Sequence, residues 1–471
     1  MIRSSVMLKS LLRIDTMQEK AYCINGNDRD ILQTQAVQKA IDECSENGGG
    51  VVRFGGGRYV LGTVFLRSDV TLEIPFGTEI LGTENFSDYA CDEKVDYPLY
   101  QDASHSFFHC SMFVGIDCEN VKIVGGGKID MRSVWDEKNV RQMSHRGPKT
   151  IALKNCKNVE ISGITILNAT DIAVYFAGCD NVDIHDLKMR VYIDGISPDN
   201  SKNVRIYDCD LETGDDGIVF KSSYTLNRLD ICKDIHVRNC RVKSRCNAIK
   251  FGTETNGGFE NILIENCEVY ETRIAGIALE TVDGADIDGV TFRNITMKNV
   301  NAPLFIHVGK RLRGPEGLTV GKIKNVTLEN ITADGPYKPY EVIPWNYLSY
   351  KRNDRVQFPW IFIHSESFKN YTEESAWQMT SNICGLKESP LENITLKNVR
   401  LNLDGGVKEY VRSVPEETVL AYPEVFVYGR ILPAKGIYFR HIKGLKMENV
   451  FVKSYRSDAR EDFVFDNVIQ A

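Results

Sequence analysis

The sequence predicts an all-β solenoid, a stack of short parallel coils, and three observations carry that prediction. A unit of Asn/Asp-Val/Ile followed by alternating apolar residues recurs from end to end of the 471-residue chain. Its closest copies stand 22 or 23 residues apart. Each copy has period-two alternation with β-branched residues, the mark of strands and not of helical repeats.

The unit is read as Asp69-Val70-Thr-Leu-Glu-Ile, Asn120-Val121-Lys-Ile-Val, Asn158-Val159-Glu-Ile-Ser, Asn181-Val182-Asp-Ile-His and Asn203-Val204-Arg-Ile-Tyr. It continues through Asp234-Ile235-His-Val-Arg, Asn261-Ile262-Leu-Ile-Glu, Asn325-Val326-Thr-Leu-Glu and Asn393-Ile394-Thr-Leu-Lys. One such unit cannot bury its apolar face alone, whereas stacked units can, with ladders of Asn and Cys expected inside. Longer gaps, such as the 31 residues from Asn203 to Asp234, are loops leaving the coil, and such loops commonly build a binding face.

Ahead of the repeats, Asp30 to Cys44 spaces Ile31, Val37 and Ile41 near the helical period, and the Gly48–Gly57 run ends it. A helix there would cap the open end of the stack. The glycine run lacks the Lys-Ser/Thr of a phosphate loop, and Val51, Val52 and Phe54 within it read as a strand. Residues 1–22 are an N-terminal extension and 23–471 one solenoid unit. An aromatic-rich insertion at about 335–384, with Trp345, Tyr347, Tyr350, Trp360 and Trp377, interrupts it. Those rings suit either sugar stacking or simple packing onto the coils.

Composition excludes several classes of function. The formal net charge is −7 and the basic residues are dispersed, so no stripe exists for a phosphate backbone and nucleic acid is not an expected partner. No apolar run reaches the roughly 18 residues of a membrane span, and Lys9 and Arg13 break the N-terminal apolar stretch. The 13 cysteines lack metal-ligand spacing, so no metal or cofactor is expected; they read as buried free thiols, which favours a reducing compartment, the cytoplasm. The sequence leaves the oligomeric state open.

Counting from the start of each unit exposes a column. Thirteen residues after Asn158, Asn181, Asn203 and Asp234 stand Asp171, Asp194, Asp216 and Asn247, with Asp215 beside Asp216. Coils about 4.8 Å apart would crowd these carboxylates on the surface and raise at least one pKa. Stability offers no reason to stack them, while a proton donor and a water-activating base do, at the roughly 6.5–9.5 Å separation of inverting glycosidases. Asp180 and Asp199, by contrast, read as turn residues.

At these residues the sequence resembles glycoside hydrolase family 28, the polygalacturonase family. Asp194-Gly-Ile-Ser-Pro-Asp-Asn-Ser-Lys-Asn-Val-Arg-Ile and Gly214-Asp-Asp-Gly-Ile-Val-Phe-Lys-Ser222 are similar to its Asn-Thr-Asp and Gly/Gln-Asp-Asp elements. The similarity runs over most of the chain, to Ser381-Asn-Ile-Cys-Gly-Leu and Gly436-Ile-Tyr-Phe-Arg-His441. It implies a single-stranded right-handed parallel β-helix of the pectin-lyase-like kind and metal-free hydrolysis with inversion. It also implies Asp215 as general acid and Asp194 with Asp216 holding the attacking water.

Three departures mark a divergent member. Tyr192-Ile193 precedes Asp194, Cys246-Asn247-Ala248 replaces Gly-His-Gly, and Ala278-Leu279-Glu280 replaces Arg-Ile-Lys. Because Glu280 would repel the uronate that a cation there grips, a neutral sugar is expected at that subsite, lined by Lys250, Glu254 and Glu280. Lys250 and Glu254 also fit a solvated salt bridge. Asp171 and Asn247 complete the expected substrate-binding set. The reading is an inverting glycoside hydrolase acting on a pectic or other plant-derived carbohydrate. Its alternatives are a strict polygalacturonase, a β-helix polysaccharide lyase and a non-catalytic glycan-binding protein.

Overall fold

A computed structural model describes residues 21–26, 31–136, 146–335, 379–410, 412–416, 423–429 and 431–471. The chain winds as a right-handed parallel β-helix in which strands from successive coils form parallel ladders. The repeat's Val/Ile residues stand directly one above another: Val121, Val159, Val182, Val204, Ile235 and Ile262 pair in register. Val290, Val326 and Ile394 extend that column. All of them are buried in one continuous core. Each apolar side chain therefore packs on its own kind above and below, which favours β-branched residues of matched shape.

A further ladder carries the site. It runs through Ser111–Ile116, Lys149–Lys154, Val174–Ala177, Ile196–Asp199, Ile218–Ser222 and Ile249–Thr255. Ile196, Ile218 and Ile249 point into the core, so their neighbours along each strand point outward. The expected helix forms at Thr34–Glu46, with Val37, Ile41 and Cys44 buried against the first coils. Its start lies later than the sequence spacing suggested: Ile31 precedes the helix and is 52% exposed, while Cys44 takes the third place on the buried face. A strand at Ala21–Ile24 already pairs with Gly50–Phe54. The aromatic residues singled out between 345 and 377 lie outside the described residues.

The recurring Asn/Asp marks a corner. Asn120, Asn158, Asn181 and Asn203 all have φ between 54° and 57°, a left-handed conformation that Asn tolerates better than other side chains. Asn158 donates to Asn120 Oδ1 at 2.9 Å and Asn181 to Asn158 Oδ1 at 2.8 Å, a chain of amides, while Asn203 donates instead to the carboxylate of Asp180 at 2.7 Å. The expectation of Asn inside the stack is thereby corrected. These amides are exposed, because a residue immediately before an inward Val must point outward. The cysteines do lie inside: eleven of the thirteen are buried, and all are free thiols. Cys156, Cys179, Cys209, Cys240 and Cys267 each donate to the carbonyl two residues earlier, at 3.2–3.6 Å, so the thiol satisfies the corner that the preceding residue turns.

These observations predict an inversion of the usual ranking of alanine and glycine. Asn158→Ala loses two amide contacts and forces a Cβ into positive φ, so it destabilises by about 1–3 kcal/mol. Asn158→Gly loses the same contacts without that strain and costs less. Apparent denaturation midpoints of the two variants provide the comparison, and equal midpoints would remove the conformational argument.

Candidate active site

The acidic column occupies the corner that precedes each strand of the site-bearing ladder. Its side chains have a structural use that sequence reasoning denied them. Asp194 Oδ1 accepts the backbone N–H of Asp216 at 3.2 Å, Asp216 Oδ1 that of Asn247 at 3.1 Å, and Asn247 Oδ1 that of Ala275 at 3.1 Å. These three members each satisfy a backbone donor in the next coil, while Asp171 accepts the N–H of Ile172 in its own, so stability does contribute to the stack. Either Asp or Asn can accept that bond. A carboxylate is required only where its charge or its proton matters.

Asp194, Asp215 and Asp216 bring one oxygen each to within 4.8 Å of the other two. Asp194 and Asp216 are buried, at 4% and 5% exposure, which corrects the expectation of a surface column. The carboxylate of Asp215 is the most open, at 17%, and it faces Arg146 Nη2 at 3.4 Å. Burial, together with the charges of Asp215 and Asp216, pushes the Asp194 carboxyl up to about 8. Burial and Asp216 also raise Asp215, against the pull of Arg146 and Lys250. The cluster therefore retains a proton at neutral pH, and that proton belongs to the group of three more than to any one carboxyl. The same three oxygens are a donor set that a hard cation could use.

The remaining expected site residues are drawn into ion pairs. Asp171 is fully buried between Lys149 Nζ at 3.8 Å and Arg146 Nη1 at 3.9 Å, one coil from the cluster. Glu254 is bound to Lys221 Nζ at 2.6 Å and to Arg313, so its salt bridge is real but buried, and its partner is not Lys250. Lys250 lies among three acids, with Nζ 2.5 Å from Glu424, 3.5 Å from Asp216 and 3.6 Å from Glu280. Glu280 has no exposure, and neither carboxylate oxygen has a hydrogen-bond partner among the described residues. Burial holds its carboxyl well above the usual range despite Lys250. Gly252 makes the fit possible, since a Cβ there would approach Glu280 Cγ to 2.9 Å. Glu280 is thus a fully buried carboxyl beside Lys250 and not the open charge that was expected to face a substrate carboxylate. Asp199, expected in a turn, ends a strand instead and is buried, accepting from Tyr175 Oη at 3.0 Å and Ser223 N at 2.9 Å.

Several members of the site escaped the sequence reading. Arg146 stands 3.4 Å from Asp215, Lys221 and Arg313 pair with Glu254, and Asp102 holds His105 Nδ1 at 2.7 Å in a part-buried pair at the short helix Ala103–Ser106, between the strands Thr78–Gly82 and Ser111–Ile116. Glu424 reaches Lys250 and Asn247 from more than 170 residues downstream. None belongs to the repeat register except Lys221, whose outward position beside the Asp215-Asp216 pair was the one available signal.

The architecture and the site agree with what the chain is similar to. The family model for glycosyl hydrolases family 28 matches residues 67–337, more than half of the chain. An exo-poly-alpha-D-galacturonosidase of Dickeya chrysanthemi is 24% identical over 79% of this chain and 69% of its own length. An endo-polygalacturonase of Pectobacterium parmentieri is 22% identical over 64% of this chain and 77% of its own. The solved structure of a hyperthermoactive exopolygalacturonase from Thermotoga maritima superposes with a TM-score of 0.66 at 18% identity, covering 92% of this chain and 93% of that one, a likeness of fold. With the acid cluster seated on that fold, the chain belongs to glycosyl hydrolases family 28 and is a glycoside hydrolase.

Proposed function

We propose that the protein hydrolyses a glycosidic bond of a pectic or other plant-derived glycan with inversion, using Asp215 as proton donor and Asp194 with Asp216 to hold the attacking water. The observation that carries this is the convergence of three carboxyls within 4.8 Å, of which Asp215 is the one open to solvent. A proton donor must reach the leaving oxygen, and a raised pKa keeps it loaded. The buried pair behind it is shielded and fixed by backbone N–H groups. The names of the relatives support a pectic substrate class. No helix among the described residues is long and apolar enough to cross a membrane. The buried free thiols support a reducing compartment.

One observation favours a second stereochemical outcome. The oxygens lie closer than the roughly 6.5 Å at which inverting enzymes begin, and nearer the spacing at which a second carboxylate attacks directly. Retention through a glycosyl-enzyme intermediate is the competing reading. For the substrate, we retain a neutral sugar at the subsite beside Ala278, on different support. Lys250, the cation at that wall, is already engaged by Glu424 and flanked by Asp216 and Glu280, so a uronate would have to displace the chain's own carboxylates.

Asp215→Asn should lower kcat by about 10²–10⁴-fold with the fold intact, because an amide cannot supply the proton. Wild-type turnover should survive chelator, and proton NMR of the first-formed anomer should show inversion. Retention would replace the water-holding role of Asp194 and Asp216 by nucleophilic attack, and chelator-sensitive release of an unsaturated product would establish the lyase reading.

The raised pKa of Asp194 predicts opposite effects on activity and stability. Its folded value of about 8 exceeds the unfolded one, so the folded state holds an extra proton and stability declines as pH rises from about 4 to 8. Asp194→Asn keeps the acceptor for Asp216 N–H and removes that penalty. Its Tm should exceed wild type by at least about 2 °C at pH 8 and by little at pH 4, while activity falls. A Tm gain independent of pH would show that the charge is not the cause.

With matched neutral and uronic substrates of one linkage, the wild type should favour the neutral one in kcat/KM by about tenfold. Preference for polygalacturonate would overturn the neutral subsite and leave the acid cluster standing.

A further inference from the structure

The distances around Lys250 assign a task to a residue that neither the repeat nor the acid cluster includes. Asp216 Oδ1 is occupied by Asn247, which gives it both its backbone N–H at 3.1 Å and its side-chain amide at 2.8 Å. The other oxygen, Oδ2, has the Lys250 ammonium 3.5 Å away. A carboxylate clamped directly by an ammonium ion is a poor base, since the cation stabilises the anion it would have to lose. Lys250 stays 3.5 Å from Asp216 while Glu424 holds it at 2.5 Å. Glu424 also accepts from Asn247 Nδ2 at 3.2 Å, so the amide that orients Asp216 is itself fixed.

Glu424 is built to stay there. It is 2% exposed and opens a turn closed by Val427 N–H on Glu424 O at 2.7 Å and Gly429 N–H on Phe426 O at 2.8 Å. Asn382 Nδ2 donates to Val425 O at 2.8 Å. Val425 and Phe426 sink into an apolar pocket with Cys246, Ala275, Ala278 and Phe305. An arginine at position 278 would fill that pocket, so the small residue there and the seated turn belong to one arrangement. A buried carboxylate needs a partner to be tolerated, and this turn delivers it to a cation shared with the site.

We infer that Glu424 is a positioning residue of the active site: it holds Lys250 and Asn247 together and so keeps Asp216 oriented with the Lys250 ammonium at a distance. The inference rests on the proposed reading in which Asp216 holds the attacking water. Several charged or titratable groups surround Asp216. Asp194, Asp215 and Lys221 lie on its own and the preceding coils, and Cys246, Lys250 and Glu280 on the following ones. Glu424 reaches it from the separate turn. Without the Glu424 carboxylate, the Lys250 ammonium is free to approach the aspartate cluster and a negative charge is lost, and both favour the ionised form of the raised carboxyls there. The acid limb of the kcat/KM profile therefore moves to lower pH.

Glu424→Gln should lower kcat about tenfold with KM changed less than about threefold, and should shift the acid limb downward. Adding Lys250→Gln removes the freed cation and should restore part of the rate, so the two losses do not multiply. If circular dichroism shows Glu424→Gln unfolded, Glu424→Asp replaces it: the shorter carboxylate cannot span Lys250 and Asn247 together, and the same shift is expected. An unmoved pH profile in the folded variant, or strictly multiplicative losses, overturns the role of Glu424. Asp216→Asn is measured alongside. Full activity there would instead defeat the assignment of Asp216, whereas an inactive Asp216→Asn with an unchanged Glu424 variant defeats this inference alone.

Discussion

The spacing of successive coils governs the molecule. Parallel backbone hydrogen bonds fix it at about 4.8 Å, and equivalent residues become neighbours whether or not their side chains suit one another. Three chemistries meet this constraint differently. The Val/Ile column gains contact at every step, and the Asn column converts proximity into amide hydrogen bonds. The aspartate column is strained by it, since Asp194, Asp215 and Asp216 have oxygens within 4.8 Å and cannot all be ionised at ordinary cost. Stored protonation at the site is thus a consequence of the backbone ladder.

The fold was legible because its requirements are local. A corner in positive φ selects Asn or Asp, the next residue points inward and selects Val or Ile, and a thiol two residues after a free carbonyl satisfies it. Recurrence of those choices at 22 or 23 residues left few alternatives. The alternation itself should have put Asn158 and its equivalents outside, as the residue before an inward valine cannot also point inward. The helix start was misplaced because Ile31 keeps the apolar spacing without joining the helix, so periodicity alone extended it too far.

The site was legible where the repeat register reaches and not beyond. A fixed offset of thirteen residues found Asp171, Asp194, Asp216 and Asn247, and departure from the resembled Arg-Ile-Lys motif pointed to Glu280 with Lys250 beside it. Outward, however, is not exposed. Arg146 lies over Asp215 and Asp171, and the turn at Glu424 covers Lys250 and Asn247, from segments with no fixed relation to the coil count. Whether an outward carboxylate meets water, a cation or an apolar lid depends on those segments. That is why Glu280 read as a surface charge and stands buried, its carboxyl held well above the usual range.

Depth of burial alone does not decide the state of an acid in this protein. Burial opposes ionisation at Asp102 and Glu254, yet His105 brings the first below its usual range and Lys221 with other cations brings the second well below. Asp194 and Glu280 are buried as well and move the opposite way. The difference lies in supply of cations. Glu254 has Lys221 at 2.6 Å, whereas the closest cation to Asp215 among the described residues stands at 3.4 Å and must also serve Asp171. The fold can therefore silence a buried carboxyl by placing a cation against it, and around the three aspartates it does so only in part. A cluster left short of positive charge keeps a proton that hydrolysis can spend, and a neighbouring lysine held aside by another carboxylate leaves one aspartate able to take a proton back.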